Sequence, residues 1–478
     1  MKPRQRQLGA VWPAAALVLL VALTAWPLIL KDWMGGRPAY DQWNFHAPMI
    51  QKFVAEWPSL NFENYLSATT PLYHLVLAAV AKTGVLGSGT TGLRLAGSAF
   101  TMVLVGMLGW ALARRGAKGW ALFTVCGVFA SSYYVWPAAA WLLPDNAAWI
   151  GVLAIMLLAL QPRQTLGTMA AGGAMLALLV LTRQIHLWAA GVVWFAAWIG
   201  ETFDDECEGE QALLPVPPLL RDFGQRVLRT IPAVALTLPA FGLVAAFAAL
   251  WGGLVVPRYQ GLHQGMALET PAFSLSLLAI YSVFLGGWLW PQFAQTLRQH
   301  AGAIVIAVLL GLLAAVLPLT TANEYGRKGG LWGIVAHAPA IAGHTSVVIL
   351  VLAPCGAAAL VLWLSRLSPR ERWVMAIAWL GFLAAQTASP LPWQRYHEPF
   401  LLVWVAIAAL WNQRPAPARW AVVGPALLMV GFIGLNAVSF GGGRVDQGRR
   451  NPLASPHYWG PPTPEPAEYT EERLPRNR

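Results

Sequence analysis

Two aspartates stand where a carboxylate could do chemistry at a membrane surface. Asp41 follows the first long apolar run and precedes an amphipathic stretch, whereas Asp145 follows Leu143-Pro144 and directly precedes another apolar run. A positioned carboxylate can take the proton of an attacking hydroxyl, which contributes about 10²–10⁴-fold to a rate. Either aspartate could instead cap the helix that follows it, because Asp is a favoured N-cap residue. For Asp145, the spacing alone favours the cap.

Arginines at the ends of apolar runs could hold an anionic group. A guanidinium matches the geometry of phosphate oxygens. A long side chain at a helix end can also extend to the membrane surface without binding a ligand, so both interpretations stay open. The pattern occurs at Arg183-Gln184, at Arg258 with His263, and at Arg395-Tyr396.

Other catalytic and metal-binding signatures are absent from the sequence. It contains no HExxH, no P-loop and no GxSxG, so a metalloprotease, a nucleotide-driven protein and a serine hydrolase lack support. The three cysteines, Cys126, Cys207 and Cys355, have no metal-ligand spacing, and an odd count argues against a disulfide framework. The sequence therefore predicts neither a metal site nor a cofactor.

The composition indicates a membrane protein. Of the 478 residues, 57% are hydrophobic and 11% are charged, whereas about 25% of a soluble domain is charged. The apolar runs are long enough to span a bilayer as helices, so the predicted fold class is an all-α polytopic membrane protein. A net charge of +11 is typical of basic loops that face the cytoplasm and anionic headgroups. No compact basic and aromatic patch indicates nucleic acid.

Charge asymmetry predicts which apolar runs cross the membrane. Fourteen runs lie between residues 10 and 438, and counting the run 71–87 as a span would place Arg114 and Arg115 outside. Omitting it leaves a bundle of about thirteen transmembrane helices. Residues 31–93 then form a large first extracytoplasmic loop, in which 71–87 is a re-entrant or interfacial helix.

The same assignment divides the chain into one catalytic bundle and two accessory segments. The bundle covers residues 1–438. Residues 201–229, with an acidic start and a Pro-rich middle, are predicted to be a solvated cytoplasmic connector, and 439–478 a poorly ordered tail. The candidate residues, with His46 and Glu324, then lie on the extracytoplasmic side. A transporter tends to place its ionisable groups near the bilayer midplane, and no Asp, Glu or Lys lies deep in the predicted spans.

Several short patches, in order between residues 39 and 438, resemble the GT-C class of membrane glycosyltransferases. The greatest similarity is to the dolichyl-phosphate-glucose alpha-1,2-glucosyltransferase family, which adds the terminal glucose of a lipid-linked oligosaccharide. The patches are Asp41-Gln42-Trp43-Asn44-Phe45-His46, Thr69-Thr70-Pro71-Leu72-Tyr73, Pro144-Asp145, Arg183-Gln184-Ile185-His186-Leu187-Trp188, Gln260-Gly261-Leu262-His263-Gln264, Arg395-Tyr396 with Pro399, and Asn436-Ala437. Gln42 stands where the family has a second acid, and the Ala- and Arg-rich composition is typical of a bacterial relative.

The resemblance implies a GT-C-like fold and a transfer reaction. A hexose, glucose in the family named, would pass from a polyprenyl-phosphate donor to a hydroxyl of a lipid-linked glycan or other surface acceptor, with inversion and without a cofactor or metal. Asp41 would be the general base, and Asp145 would orient the acceptor or the sugar. Arg183, Arg258 and Arg395 would stabilise the departing phosphate. Further substrate contacts would come from His46, Gln184, His263, Glu324 and Tyr396. The location implied is a bacterial inner membrane, with the site on its extracytoplasmic face and membrane lipids around the bundle.

Two other functions stay open from the sequence. A carrier or flippase for a lipid-linked sugar shares the hydrophobic bulk and the outer arginines, but it predicts an inner-face site and charges in a central cavity. A non-catalytic assembly subunit stays open because of Gln42. The enzyme hypothesis predicts that Asp41 and Asp145 converge in an outer cavity with at least one of the three arginines.

Overall fold

The computed structural model describes residues 3–33, 41–87, 89–210, 212–323, 326–412 and 417–441. These residues contain fifteen α-helices of ten residues or more: α1 (Pro3–Leu30), α2 (Ala47–Glu56), α3 (Leu72–Thr83), α4 (Thr90–Arg114), α5 (Gly119–Ser131), α6 (Asp145–Ala159), α7 (Leu166–Thr182), α8 (Ala189–Ile199), α9 (Phe223–Trp251), α10 (Thr270–Phe284), α11 (Ala301–Val316), α12 (Val347–Leu364), α13 (Pro369–Thr387), α14 (Gln394–Leu410) and α15 (Val423–Gly441).

Short elements connect the long helices. The described strands, Ala340–Ile341 and Thr345–Ser346, form one antiparallel pair. The short helical turns are Gln42–His46, Pro137–Ala140, Gln184–Trp188, Phe203–Glu206, Pro217–Leu220, Pro257–Gln260, Gly261–His263, Gly286–Leu289, Trp290–Gln292, Phe293–Gln299 and Leu331–His337.

The predicted all-α polytopic class is confirmed, and each of the thirteen apolar runs contains one of the long helices. Four helices are long and apolar enough to cross a membrane, namely Val11–Leu30, α4, α9 and α12. A fifth span would result if α10 and Gly286–Gln299 count as one, although the chain bends by 77° between them. Helix α3, within the omitted run, has only 12 residues, a length of about 18 Å that is too short for a hydrocarbon core of about 30 Å.

Loops that the sequence predicts to be cytoplasmic meet at one end of the bundle, which we call the inner end. The guanidinium of Arg370 donates to Ala159 O and Gly200 O, at 2.9 and 3.0 Å. The guanidinium of Arg115 lies 4.0 Å from the ring centroid of Trp411. These contacts join five connections that the alternation of spans places on one side.

The predicted solvated connector at 201–229 is partly wrong. Helix α9 begins at Phe223, so the last residues of that range are helical. Arg226 is fully buried, where its guanidinium pairs with Glu206 and donates to Ile199 O at 3.2 Å. Phe203 and Cys207 are buried as well, because the acidic turn packs onto the bundle instead of extending into solvent.

The opposite end, which we call the outer end, carries the first loop. Helices α2 and α3 form a small apolar core there with Tyr65 and Trp251, whose rings stack at 5.9 Å. Helix α15 also ends on this side, because Ser439 Oγ lies 3.3 Å from the hydroxyl of Tyr133. Most of the predicted tail, from residue 442 onward, lies outside the described residues.

Close helix packing at glycine positions gives a test of the bundle. A Cβ on Gly356 of α12 would lie 1.8 Å from Leu275 O of α10, whereas a Cβ on Gly431 of α15 would meet nothing within 4 Å. We therefore expect Gly356→Ala to destabilise the protein by about 1–3 kcal/mol or more, because the two helices must separate. Gly431→Ala should stabilise it by about 0.5–1 kcal/mol. Thermal unfolding in detergent measures both, and equal melting temperatures would contradict this helix contact.

Candidate active site at the outer end

Asp41 forms an ion pair with Arg395 across the outer end. It immediately precedes the single π-helical turn Gln42–His46, and its side chain makes no capping hydrogen bond. The carboxylate instead accepts a hydrogen bond from Arg395 Nη1 to its Oδ2 at 2.6 Å. The two side chains are 25% and 33% exposed, so the pair lies partly buried yet open to a ligand. The capping interpretation of Asp41 is therefore wrong.

A second ion pair joins Asp145 to Arg183. Pro144, not Asp145, is the N-cap residue of α6, and Asp145 is the first residue of the helix. Arg183 directly follows α7, where its N–H donates to Leu179 O at 2.8 Å. Both side chains are largely buried, at 13% and 14% exposed. Asp145 is therefore not the helix cap, and Arg183 does not extend to the membrane surface. The two side chains pair with each other instead.

Tyr396 connects the two ion pairs. The guanidinium carbons of Arg183 and Arg395 lie 4.8 and 4.9 Å from the centroid of its ring, a distance typical of cation–π contacts. Arg395 Nη2 also donates to the Tyr396 hydroxyl at 2.9 Å. Arg395 Nε is buried and has no hydrogen-bond partner among the described residues. The guanidinium of Arg395 therefore keeps one donor that no described residue uses.

The four charges also surround His46. Burial lowers the pKa of this imidazole from 6.5 to about 4. Asp41 and Asp145 raise the pKa, whereas Arg395 and Arg183 lower it, and burial is the largest cause of the shift. His46 is therefore neutral at neutral pH.

Hydrogen bonds continue from His46 into the first loop. His46 Nδ1 lies 2.9 Å from His74 Nε2, and His74 Nδ1 lies 2.6 Å from the hydroxyl of Tyr65. That hydroxyl also lies 3.2 Å from Thr70 O. All three side chains are buried. The sequence indicates His46 alone, because nothing in the residue spacing connects it to His74, 28 positions later.

Gln42, which stands where the resembled family has a second acid, belongs to a buried network. Its Oε1 accepts hydrogen bonds from Arg94 Nε and from the backbone N–H of Leu142, both at 3.1 Å. Arg94 in turn pairs with Asp32 at 2.6 Å. The network fixes the residue next to Asp41 to α4. The sequence does not indicate this network, because Arg94 stands at the edge of an apolar run without a motif.

The remaining residues that the sequence predicts to contact the substrate do not form one group. Gln184 Nε2 donates to Ala68 O and Leu254 O, at 3.0 and 2.8 Å, so this amide holds two outer loops together. Arg258 is exposed, and it takes part in none of the ion pairs formed by the described residues. His263 is partly buried, and its pKa is lowered by burial and then by the charge of Arg183, so it borders the site. Glu324 lies outside the described residues.

Gln394 to Glu398 form the first turns of α14 at the outer end. Glu398 is fully buried. Its carboxylate accepts hydrogen bonds from the Tyr281 hydroxyl and Gln394 Nε2, both at 2.7 Å, and from Ser132. Gln394 Oε1 accepts the N–H of Leu331 at 2.7 Å. These bonds fix the helix start that carries Arg395 and Tyr396, and no sequence signal predicts them beyond the polar residues themselves.

Another outer ion pair lies between Glu269 and Arg327, at 2.6 Å. Both side chains are buried or nearly so. No motif in the sequence marks either residue.

Comparisons with known proteins add one structural similarity. No protein-family model matches the chain, and no curated protein matches it. The apo crystal structure of ArnT from Cupriavidus metallidurans is similar at 17% sequence identity, over 88% of this chain and 78% of that chain, with a TM-score of 0.35. A TM-score this low does not establish a shared fold. Composition and helices by themselves define the chain as a multi-pass helical membrane protein.

Breaking the buried pair should cost stability. We expect Asp145→Asn to lower the free energy of unfolding by about 3–5 kcal/mol, because Arg183 then stays buried beside a neutral partner. The matched control is Glu201→Gln at the inner end, whose pair with Arg163 is 56% and 82% exposed and should contribute less than about 1 kcal/mol. Equal losses in a denaturant titration would contradict the burial of the Asp145 pair.

The neutral His46 should make stability depend on pH. The unfolded histidine takes up a proton near pH 6.5, whereas the folded one does so only at about pH 4. Stability should therefore decrease as the pH falls between these values, by roughly 3 kcal/mol at most from this group. We expect His46→Gln to show a shallower decrease than the wild type, and the exposed His337→Gln control to follow the wild type. Parallel curves for all three proteins would contradict a buried, neutral His46.

Proposed function

We propose that the protein is a membrane glycosyltransferase of GT-C type, which transfers a hexose from a polyprenyl-phosphate donor to an acceptor hydroxyl. One observation carries the proposal: two carboxylate–guanidinium pairs from four distant segments meet on the ring of Tyr396. The enzyme hypothesis predicts this convergence of Asp41 and Asp145 with at least one arginine. The site lies at the end opposite the arginine-rich inner loops, which supports an extracytoplasmic location.

The pocket holds the groups that such a transfer needs. In a single displacement, Asp41 takes the proton of the acceptor hydroxyl while the oxygen of that hydroxyl attacks the anomeric carbon of the donor sugar. The bond from that carbon to the phosphate breaks, and the lipid phosphate leaves with the electron pair. Arg395 and Arg183 stabilise the negative charge on the departing phosphate, where positioned charges contribute most. Asp145 orients Arg183 and can accept a hydrogen bond from a sugar hydroxyl. One displacement inverts the anomeric centre.

Arg395 can contact both the base and the leaving group. Its Nη1 donates to Asp41 Oδ2 at 2.6 Å, and its side chain is 33% exposed. A phosphate that binds the exposed part of this guanidinium therefore lies next to Asp41.

The surface near the site suits a lipid-linked substrate. Leu262, Met266 and Leu268 are exposed at 44%, 64% and 59%, on the loop that brings His263 close to Arg183. Apolar side chains beside a charged pocket allow a polyprenyl chain to stay in lipid while its phosphate reaches the arginines. The exposed Arg258 on the same loop can meet the phosphate during entry.

The finer assignments belong to the same proposal. Glucose as the hexose, a lipid-linked glycan or other surface acceptor, and a bacterial inner membrane follow from the sequence resemblance. Arginines in place of a metal agree with a lipid monophosphate as leaving group. The alternatives, a carrier and an assembly subunit, need neither Asp41 nor Asp145, so the same experiment separates them from the enzyme.

Removing the proposed base should abolish turnover. We expect Asp41→Asn to reduce transfer by about 10²-fold or more in detergent-purified protein supplied with polyprenyl-phosphate glucose and membrane-extracted lipid-linked glycans. Glu201→Gln removes a carboxylate from an exposed inner pair and should keep wild-type turnover.

A gene deletion identifies the acceptor for that assay. Mass analysis of lipid-linked glycans and surface polymers should show the loss of one hexose, restored by the wild-type gene and not by Asp41→Asn. Full restoration by Asp41→Asn would contradict the proposed base, and an unchanged glycan profile after deletion would contradict the proposed reaction.

A further inference from the structure

Two buried side chains, Tyr65 and His74, form a hydrogen-bonded chain behind His46 and have no part in the mechanism above. It runs from Thr70 O through the Tyr65 hydroxyl and His74 to His46, with separations of 3.2, 2.6 and 2.9 Å. Tyr65 is 3% exposed, His74 is fully buried, and His46 keeps 7% exposure. The exposed remainder belongs to the end of the chain that faces the charged pocket.

The direction of these hydrogen bonds follows from their chemistry. A backbone carbonyl can only accept, so the single proton of the Tyr65 hydroxyl goes to Thr70 O. The phenol oxygen then accepts from His74 Nδ1–H, which leaves His74 Nε2 as an acceptor, and His46 Nδ1–H donates to it. Each contact then has one donor and one acceptor. The reverse direction gives up the bond between Tyr65 and Thr70.

We propose that Thr70, Tyr65 and His74 hold His46 as the Nδ1–H tautomer, so that its Nε2 accepts a hydrogen bond from a substrate hydroxyl. The tautomer rests on the hydrogen-bond chain alone, whereas the identity of the hydroxyl rests on the proposed function. His46 Nε2 has no partner among the described residues and lies on the side of the ring away from His74.

This assignment divides the pocket into two binding regions. A neutral nitrogen lone pair repels phosphate oxygens, which are acceptors as well, but it binds an O–H donor. The arginines Arg183 and Arg395 attract the phosphate. His46 therefore directs the sugar or acceptor hydroxyl to the side of the pocket away from the phosphate, within the field of Asp41 and Asp145.

The aromatic surroundings allow the chain to be cut without moving its rings. The Tyr65 ring stacks on Trp251 at 5.9 Å and on Phe53 at 6.0 Å, so Tyr65→Phe keeps the packing and removes only the hydroxyl. His74 then loses the partner of its Nδ1. It can become the Nε2–H tautomer and donate to His46 Nδ1, which turns His46 Nε2 into a donor.

Nitrogen NMR on the full chain, labelled with ¹⁵N-histidine in lipid nanodiscs, tests the tautomer directly. Protonated and unprotonated ring nitrogens have well-separated shifts, and the His46 signals among the nine histidines are those lost in His46→Gln. We expect an unprotonated Nε2 on His46 in the wild type and a protonated one in Tyr65→Phe. The matched control is Tyr73→Phe, because the Tyr73 ring contacts both imidazoles while its hydroxyl has no hydrogen-bond partner among the described residues.

The outcomes separate this proposal from the proposed function. A protonated Nε2 in the wild type, or the same tautomer in wild type and Tyr65→Phe, would overturn the assignment whether or not the protein is an enzyme. A confirmed tautomer together with a fully active Asp41→Asn would leave the assignment standing and remove the proposed base. In an active preparation, Tyr65→Phe should raise KM for the hydroxyl acceptor about tenfold and leave KM for the phosphate donor unchanged. A change in KM for the phosphate donor alone would mean that the acceptor hydroxyl does not bind at His46.

Discussion

The cation–π contacts of Tyr396 with Arg183 and Arg395 are the interaction on which the outer end depends. They join two ion pairs whose partners are 38 and 354 positions apart in the sequence. Charges this far out of water are tolerated only in pairs with good geometry, because each ion alone carries a desolvation penalty of several kcal/mol. Two carboxylates and two guanidiniums give no net charge, so the pocket can be partly buried without favouring one sign. Every loop that contributes a member of the four must therefore be held in place by other contacts.

Those contacts are polar, and each fixes one segment. Gln42 and Arg94 fasten the turn that carries Asp41, Gln184 joins the segment of Arg183 to two outer loops, and Glu398 with Gln394 sets the start of α14. Such bonds favour one arrangement, because breaking a buried one leaves a polar group unpaired. The site is thus built on helix ends and held by residues that no motif marks. This explains why Gln42 can differ from the acid of the resembled family and still serve the site by position.

The helical fold and the side of the bundle could be predicted, because hydropathy and the distribution of arginines are properties of the sequence itself. The pairing of the carboxylates with particular arginines could not be predicted. Asp145 precedes an apolar run as a cap would, and only the fold shows that Pro144 takes the cap position and Arg183 takes the carboxylate. Arg183, Arg258 and Arg395 have similar sequence contexts but different surroundings in the structure. Arg258 is exposed, whereas Arg183 and Arg395 contact the ring of Tyr396. Such outcomes depend on long-range packing that residue spacing does not encode.

The four charged side chains of the two ion pairs affect the neutral hydrogen-bonded chain behind His46. Asp41 and Asp145 raise the pKa of His46, Arg395 and Arg183 lower it, and burial, the largest cause, keeps the imidazole neutral. A neutral imidazole can present a lone pair, and the carbonyl of Thr70 decides through Tyr65 and His74 which nitrogen presents it.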